Sequence, residues 1–166
     1  MVKTNEAHIL DAACGGRMFW FDKDDPRALF VDNRTVETTL CDGRAFTIQP
    51  DIVADFRNLP FSDNSFNLVV FDPPHLRWAG QSSYMRQKYG ELGPNWQEDI
   101  KRGFAECFRV LRPYGTLVFK WSEAQIPLRD VLALANEKPL FGNQNLRGKT
   151  HWVVFMKEGT SQSETE

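Results

Sequence analysis

Asp72-Pro73-Pro74-His75 combines a carboxylate, two rigid prolines and a flat ring in four consecutive residues. Two prolines fix the backbone and leave the Pro73 carbonyl free to point into a pocket. A carboxylate beside such a carbonyl is a two-acceptor clamp for an –NH2 group. It would hold both amino hydrogens and steer the nitrogen lone pair at an electrophilic methyl. As the nitrogen becomes cationic the clamp supplies orientation and charge stabilisation, so no strong base is required. His75 can stack on a base or ring. The competing reading is a proline-rich turn that ends a strand.

Asp72 is the last of four aspartates that each close a short apolar run: HIL-Asp11, ALFV-Asp32, DIVA-Asp55 and FNLVVF-Asp72. Uninterrupted apolar runs bounded by Gly, Pro and Asp suit strands buried on both faces of a parallel sheet. Ligands of such sheets bind at the carboxyl ends of the strands. Any one of these acids could simply cap a turn. Four in order describe an edge lined with carboxylates. Asp32 follows Asp11 at close to the ~20-residue interval that separates a glycine turn from a ribose-binding acid.

The turn Asp11-Ala12-Ala13-Cys14-Gly15-Gly16-Arg17 is built of small residues, which let the backbone approach a nucleotide-like ligand. Asp32, with Asn33 beside it, can accept both ribose hydroxyls. Asp55 can accept from an adenine amino group, and the Phe56 amide can meet a ring nitrogen. These groups describe a pocket for an adenosine-containing cofactor without phosphates. A dinucleotide would need G-x-G-x-x-G at a helix N-terminus, which this turn lacks. S-adenosylmethionine carries no phosphate and tolerates a looser turn. The cofactor-binding candidates are therefore Asp11, Ala13, Cys14, Gly15, Arg17, Asp32, Asn33, Asp55 and Phe56.

Further runs at 115–120 and 150–156, with a short strand at 139–142, bring the expected sheet to six or seven strands. Helices are fewer. The clearest spans about Trp96 to Leu111, where Ile100, Phe104, Cys107, Phe108 and Leu111 recur at helical spacing behind Asn95 as N-cap. A second runs from about Pro127 to Asn136. Residues 17–25 suit one short helical turn, and Cys41-Asp42-Gly43-Arg44 a hairpin turn. The chain of 166 residues is long enough for one domain. Residues 1–157 are expected to form it, with 158–166 a polar, disordered tail. Net charge is −2 and the tail accounts for it, so no global field points to nucleic acid or membrane. The start, Met1–Glu6, does not read as a signal peptide. The expected location is the cytoplasm. Three cysteines without a C-x-x-C pair and three scattered histidines predict neither a disulfide framework nor a metal site.

Taken together, these motifs resemble the class I S-adenosylmethionine-dependent methyltransferases, over about Ala7 to Lys157. The stretch from Asp55 to Val70 is similar to the segment that positions the cofactor adenine. Leu111 to Lys120 looks like the family's helix-to-fifth-strand turn. Asp72-Pro-Pro-His75 resembles the [D/N/S]-P-P-[Y/F/W] motif of enzymes that methylate exocyclic amines of adenine or cytosine. As a whole the chain looks like the small methyltransferases often carried by bacterial phages and mobile elements. The resemblance implies an α/β, Rossmann-like sandwich with a mostly parallel sheet and, here, trimmed helices. It implies that Asp11 and Gly15 line the methionine end of the cofactor, Asp32 binds ribose and Asp55 binds adenine. Asp72, Pro73, Pro74 and His75 would form the amine site. Ala13 and Arg17 stand where the family's first motif has glycine, and Arg17 is either a new contact to the cofactor carboxylate or a structural residue.

Residues 76–90 follow the amine motif and carry Arg77, Arg86 and Lys88 with Trp78, Tyr84 and Tyr89 interleaved, and no acid. Such a segment is either a lid or a surface loop packed on the body; cations with aromatics suit a single-stranded nucleic acid. Lys120 and Trp121 end the fifth strand on the same edge. Lys120 can pair with an acid there; Trp121 either walls the pocket or belongs to the core. The substrate-binding candidates are Arg77, Trp78, Tyr84, Arg86, Lys88, Lys120 and Trp121. The reading is a methyltransferase acting on an exocyclic nucleobase nitrogen, adenine before cytosine, in single-stranded or partner-delivered nucleic acid. The alternatives are a small-molecule amine as substrate, or a non-catalytic partner subunit.

Overall fold

The computed structural model describes residues 7–80, 84–143 and 148–159. The N-terminal stretch 1–6 and most of the polar tail, 160–166, lie outside them, as do 81–83 of the basic–aromatic segment.

The strands are β1 (Ile9–Asp11), β2 (Ala28–Asp32), β3 (Val36–Thr39), β4 (Ala45–Ile48), β5 (Ile52–Val53), β6 (Phe66–Phe71), β7 (Leu111–Ser122), β8 (Phe141–Gly142) and β9 (Thr150–Met156). The helices are α1 (Tyr84–Tyr89), α2 (Trp96–Val110) and α3 (Leu128–Leu132). Seven strands form one sheet in the order β5-β2-β1-β6-β7-β9-β8. Neighbours from β5 to β7 run parallel, and β9 is antiparallel to both β7 and β8. The chain moves outward from β1 to β2 and β5, then returns to β6 on the other side of β1. That reversal opens a crevice at the carboxyl ends of β1 and β6.

One face of the sheet carries the main core. Leu10, Val31, Phe71, Leu117, Phe119 and Phe155 are buried there against Ile100, Phe104 and Cys107 of α2. The α2 residues recur every third or fourth position, so one stripe meets the sheet. Gly103 makes the closest approach: a Cβ there would lie 2.6 Å from the Phe71 ring and 2.8 Å from that of Phe56. Asn95 occupies the N-cap without a side-chain cap bond, and the chain enters β7 directly at Leu111.

The opposite face is packed differently. Its cluster of Cys14, Ala28 and Phe30, joined by Ile9 and Trp20, contains no helical residue. Residues 17–25 form turns rather than a helix, and they lay Trp20 edge-on against Phe30 at 4.9 Å and Phe19 against Trp152 at 5.3 Å. Between β2 and β5 stands the antiparallel hairpin β3–β4, turning at 41–44 as its Asp-Gly pair requires. The segment after β6 is partly helical: α1 was not expected, because it has no apolar stripe and buries none of its residues.

Candidate functional site

A cleft lies over the crevice. Its wall is drawn from five strand ends: Ala12–Gly16 after β1, Asp32–Arg34 after β2, Ala54 and Phe56 after β5, Asp72–Pro74 after β6, and Lys120 of β7. Met18 and Phe19 close one side, and Lys88 and Tyr89 of α1 lie across the mouth. The β1 turn is held by its neighbours. The Ala12 amide donates to the Val70 carbonyl at 2.9 Å, the Cys14 amide to the Val31 carbonyl at 2.8 Å, and the Gly15 amide to Asp32 Oδ2 at 2.9 Å. Cys14 lines the cleft as a protonated thiol, because burial holds its pKa far above the usual range.

Asp32 is almost fully buried. Its Oδ1 accepts the Arg34 amide at 3.0 Å and Arg34 Nε at 3.1 Å. The same Asp-x-Arg clamp recurs at Asp25–Arg27, Asp42–Arg44 and Asp55–Arg57: each aspartate accepts from the amide and guanidinium two residues on.

Across the cleft, Lys120 Nζ donates to Asp72 Oδ2 at 2.7 Å, and both side chains are mostly buried. Burial pushes the Asp72 pKa up; the Lys120 charge and hydrogen bond pull it back. The ammonium also lies 5.6 Å from the Phe19 ring centroid and 5.8 Å from that of Trp152, within cation–π reach. No hydrogen bond to Asp72 Oδ1 occurs among the described residues. The site therefore holds a carboxylate with one oxygen anchored and one available.

No protein-family model matches the chain, and no curated protein matches it. Solved structures do. The chain is similar to the PH0226 protein from Pyrococcus horikoshii, with TM-score 0.58, 18% identity, and coverage of 90% of this chain and 81% of that one. It is similar to a TehB-like SAM-dependent methyltransferase from Corynebacterium glutamicum, with TM-score 0.55, 16% identity and coverage of 92% and 81%. It is also similar to the N-methyltransferase NodS from Bradyrhizobium japonicum, with TM-score 0.57, 11% identity and coverage of 92% and 86%. The chain has the Rossmann-like methyltransferase fold.

Of the residues singled out from sequence, the cleft brings together Ala13, Cys14, Gly15, Asp32, Asn33, Phe56, Asp72, Pro73, Pro74, Lys88 and Lys120. Others stand elsewhere. Asp11 is fully buried behind the turn, accepting Trp20 Nε1 at 2.7 Å and the Ala13 amide at 3.4 Å. Arg17 has a left-handed backbone, φ 52°, and lines an adjoining open groove. Its guanidinium sits 3.9 Å over the Phe30 ring and donates to the carbonyls of Lys23 and Gln49. These contacts tie the guanidinium to the 17–25 turns and to the strand β2 face. The Asp55 carboxylate is occupied by Arg57, which also reaches Asp99 at 2.8 Å. Trp121 belongs to the core, with Nε1 on the Ile126 carbonyl at 3.0 Å. His75 is 5% exposed and off the cleft wall.

The basic–aromatic segment divides. Arg77 and Trp78 donate their amides to Gln125, and Trp78 is three-quarters exposed away from the cleft. Arg86 pairs with Glu91 at 3.0 Å. The Tyr84 hydroxyl accepts from Arg44 at 2.6 Å and so ties α1 to the β3–β4 hairpin. Sequence reasoning missed Phe19, Arg34 and Tyr89 as cleft residues. For Arg34 the signal was present, since it follows a strand-end aspartate by two. Among the described residues no cluster of three or more metal-ligating side chains occurs, and no helix is long and apolar enough to cross a membrane.

Proposed function

We propose that this chain is a methyltransferase that uses S-adenosylmethionine to methylate an exocyclic amino nitrogen of a nucleobase, adenine N6 before cytosine N4. The observation that carries the reading is one continuous cleft joining Asp32 and Phe56 to Asp72-Pro73-Pro74 across the strand-order reversal. The donor set fits the cofactor. Asp32 and Asn33 are polar partners for ribose, Ala54 and Phe56 are apolar walls for adenine, and Ala12–Gly16 leave room for the methionine portion. When bound, the cofactor supplies an electrophilic methyl group on a sulfonium.

The chain's own residues would then work on the acceptor. Asp72 Oδ1 takes one amino hydrogen and the Pro73 carbonyl the other, which aims the nitrogen lone pair. The carboxylate offsets the positive charge that grows on that nitrogen. The methyl group of a cofactor held by Asp32, Asn33, Ala54 and Phe56 would pass from sulfur to that nitrogen, leaving S-adenosylhomocysteine. The extra proton on nitrogen passes to Asp72 Oδ1 and on to solvent. Lys120 opposes the rise that burial imposes on the carboxylate's pKa and fixes its orientation.

A second reading is a small amine that also carries an acidic group. Lys120 beside Asp72 favours it, because the pair presents a cation and an anion to one ligand. Methyl-labelled S-adenosylmethionine, incubated with single-stranded DNA, duplex DNA, RNA and small amines, tests both. The expected result is label recovered as an N-methylated base and reduced about 10²- to 10³-fold by Asp72→Ala. Label only in small amines would replace the first reading by the second.

A further inference from the structure

The amine motif ends in His75, where a flat side chain would face the substrate ring. Yet His75 is buried behind the wall, its ring centroid 5.2 Å from that of Tyr89 and 6.2 Å from that of Trp121. Three aromatic rings line the cleft with Asp72, Pro73 and Pro74: Phe19, Phe56 and Tyr89; of these, Tyr89, the last residue of α1, is the one whose ring lies against His75 of the amine motif.

Tyr89 is held there from several sides. Gly90 follows it with φ +73°, a left-handed turn that other residues resist, and its amide donates to the Arg86 carbonyl at 2.9 Å. A Cβ at Gly90 would lie 3.4 Å from both Pro74 and the Arg34 guanidinium, so the segment is seated closely on the amine motif. Tyr84, at the other end of α1, is tied to Arg44. His75 backs Tyr89 as a neutral ring, since burial and the Lys120 charge depress its pKa to about 4.

We infer that Tyr89 supplies the flat surface on which the substrate base stacks, and that His75 is a positioning residue that sets the Tyr89 ring from behind. The inference rests on the nucleobase reading above and narrows the acceptor to a planar ring. The stacking function has moved from the motif to the segment that covers it. Stacking on an aromatic side chain tolerates every base, so Tyr89 confers grip and not base identity.

The test uses the full chain, a single-stranded oligonucleotide bearing one 2-aminopurine, and the variants Tyr89→Phe, Tyr89→Trp and Tyr89→Leu. Stacking quenches 2-aminopurine fluorescence without any turnover. Quenching by wild type, Phe and Trp variants, with affinity lowered roughly 10- to 100-fold in Tyr89→Leu, is the expected result. His75→Phe should keep the quenching and His75→Ala lose it, with S-adenosylhomocysteine affinity unchanged in both. Equal quenching by Tyr89→Leu and wild type, or none by wild type, would overturn the inference. Methyl transfer to adenine oligonucleotides is scored separately. Transfer with KM unmoved by Tyr89→Leu sinks the stacking role and leaves the nucleobase reading standing. Quenching without transfer to any base sinks the nucleobase reading while the stacking surface stands.

Discussion

The Lys120 ammonium and the Asp72 carboxylate meet at 2.7 Å on neighbouring strand ends, each largely withdrawn from solvent. Leu68↔Thr116 and Val70↔Val118 set the register that brings them level. Burial raises the pKa of this acid, and the Lys120 charge and hydrogen bond act against that rise.

Removing the ammonium tests this directly. In Lys120→Met the Asp72 pKa is expected to rise further, because desolvation then acts unopposed. Activity that needs the ionised carboxylate is lost as pH falls through that pKa, so the acid limb of the rate profile should move to higher pH. A double-mutant cycle with Asp72→Asn should show a coupling of about 0.5–3 kcal/mol in denaturant unfolding. A limb that stays in place would show that Lys120 does not govern Asp72.

Gly103 is expected to tolerate no side chain. Its missing Cβ leaves room for the Phe71 and Phe56 rings, and Phe56 lines the cleft. Gly103→Ala should cost about 1–3 kcal/mol through overpacking. It should also weaken S-adenosylhomocysteine binding in calorimetry, because the displaced Phe56 ring has the cleft as its free direction. Stability lost with binding unchanged would mean that Phe71 alone absorbs the strain.

Asp11 carries a pH dependence of stability. Burial raises its pKa from 3.8 to about 7, against the Trp20 hydrogen bond, which lowers it. Between those values the folded state holds a proton that the unfolded chain releases. Stability from this group is therefore lost as pH rises from about 4 to about 7. Asp11→Asn keeps an acceptor for Trp20 and cannot titrate, so its Tm should fall less than the wild type's over that window. Parallel curves would remove Asp11 as the cause.

Arg17 predicts an inverted glycine effect. Its backbone is left-handed, which costs a non-glycine residue roughly 1–2 kcal/mol. Its guanidinium repays this through Phe30 and the Lys23 and Gln49 carbonyls. Both Arg17→Ala and Arg17→Gly should be less stable than wild type. The glycine variant should retain about 1 kcal/mol more than the alanine one in urea unfolding.

Much of the sheet was legible because its strands are unbroken apolar runs that stop at aspartate. The crevice followed from that pattern, and with it Asp32, Asp72 and the small-residue turn. What the aspartates do was less legible, for a local reason. Asp55 and Asp72 end similar runs, but Arg57 stands two residues after the first and closes on it, while Pro74 stands two after the second and cannot. Arg57 takes both oxygens of Asp55, whereas Asp72 is anchored, among the described residues, at Oδ2 alone, by Lys120. Trp121 and His75 face inward because their neighbours on the pleat and in the turn are already committed to the cleft, which a motif read in one dimension does not show. Helix α1 escaped notice since nothing in Tyr84–Tyr89 is buried, and burial is what a periodic sequence records.

That last feature has a practical side. Every other wall of the cleft is rooted in the sheet and its connecting turns, whereas Lys88 and Tyr89 ride on a short outer element that buries none of its own residues and, of the hydrophobic clusters, meets only the small β3–β4 one through Tyr84. The machinery under the sheet edge and the surface that meets an incoming molecule are thus separable parts. A graft exchanging residues 85–90 would change what the cleft accepts while leaving its foundation untouched, as one changes a key without recasting the lock's frame.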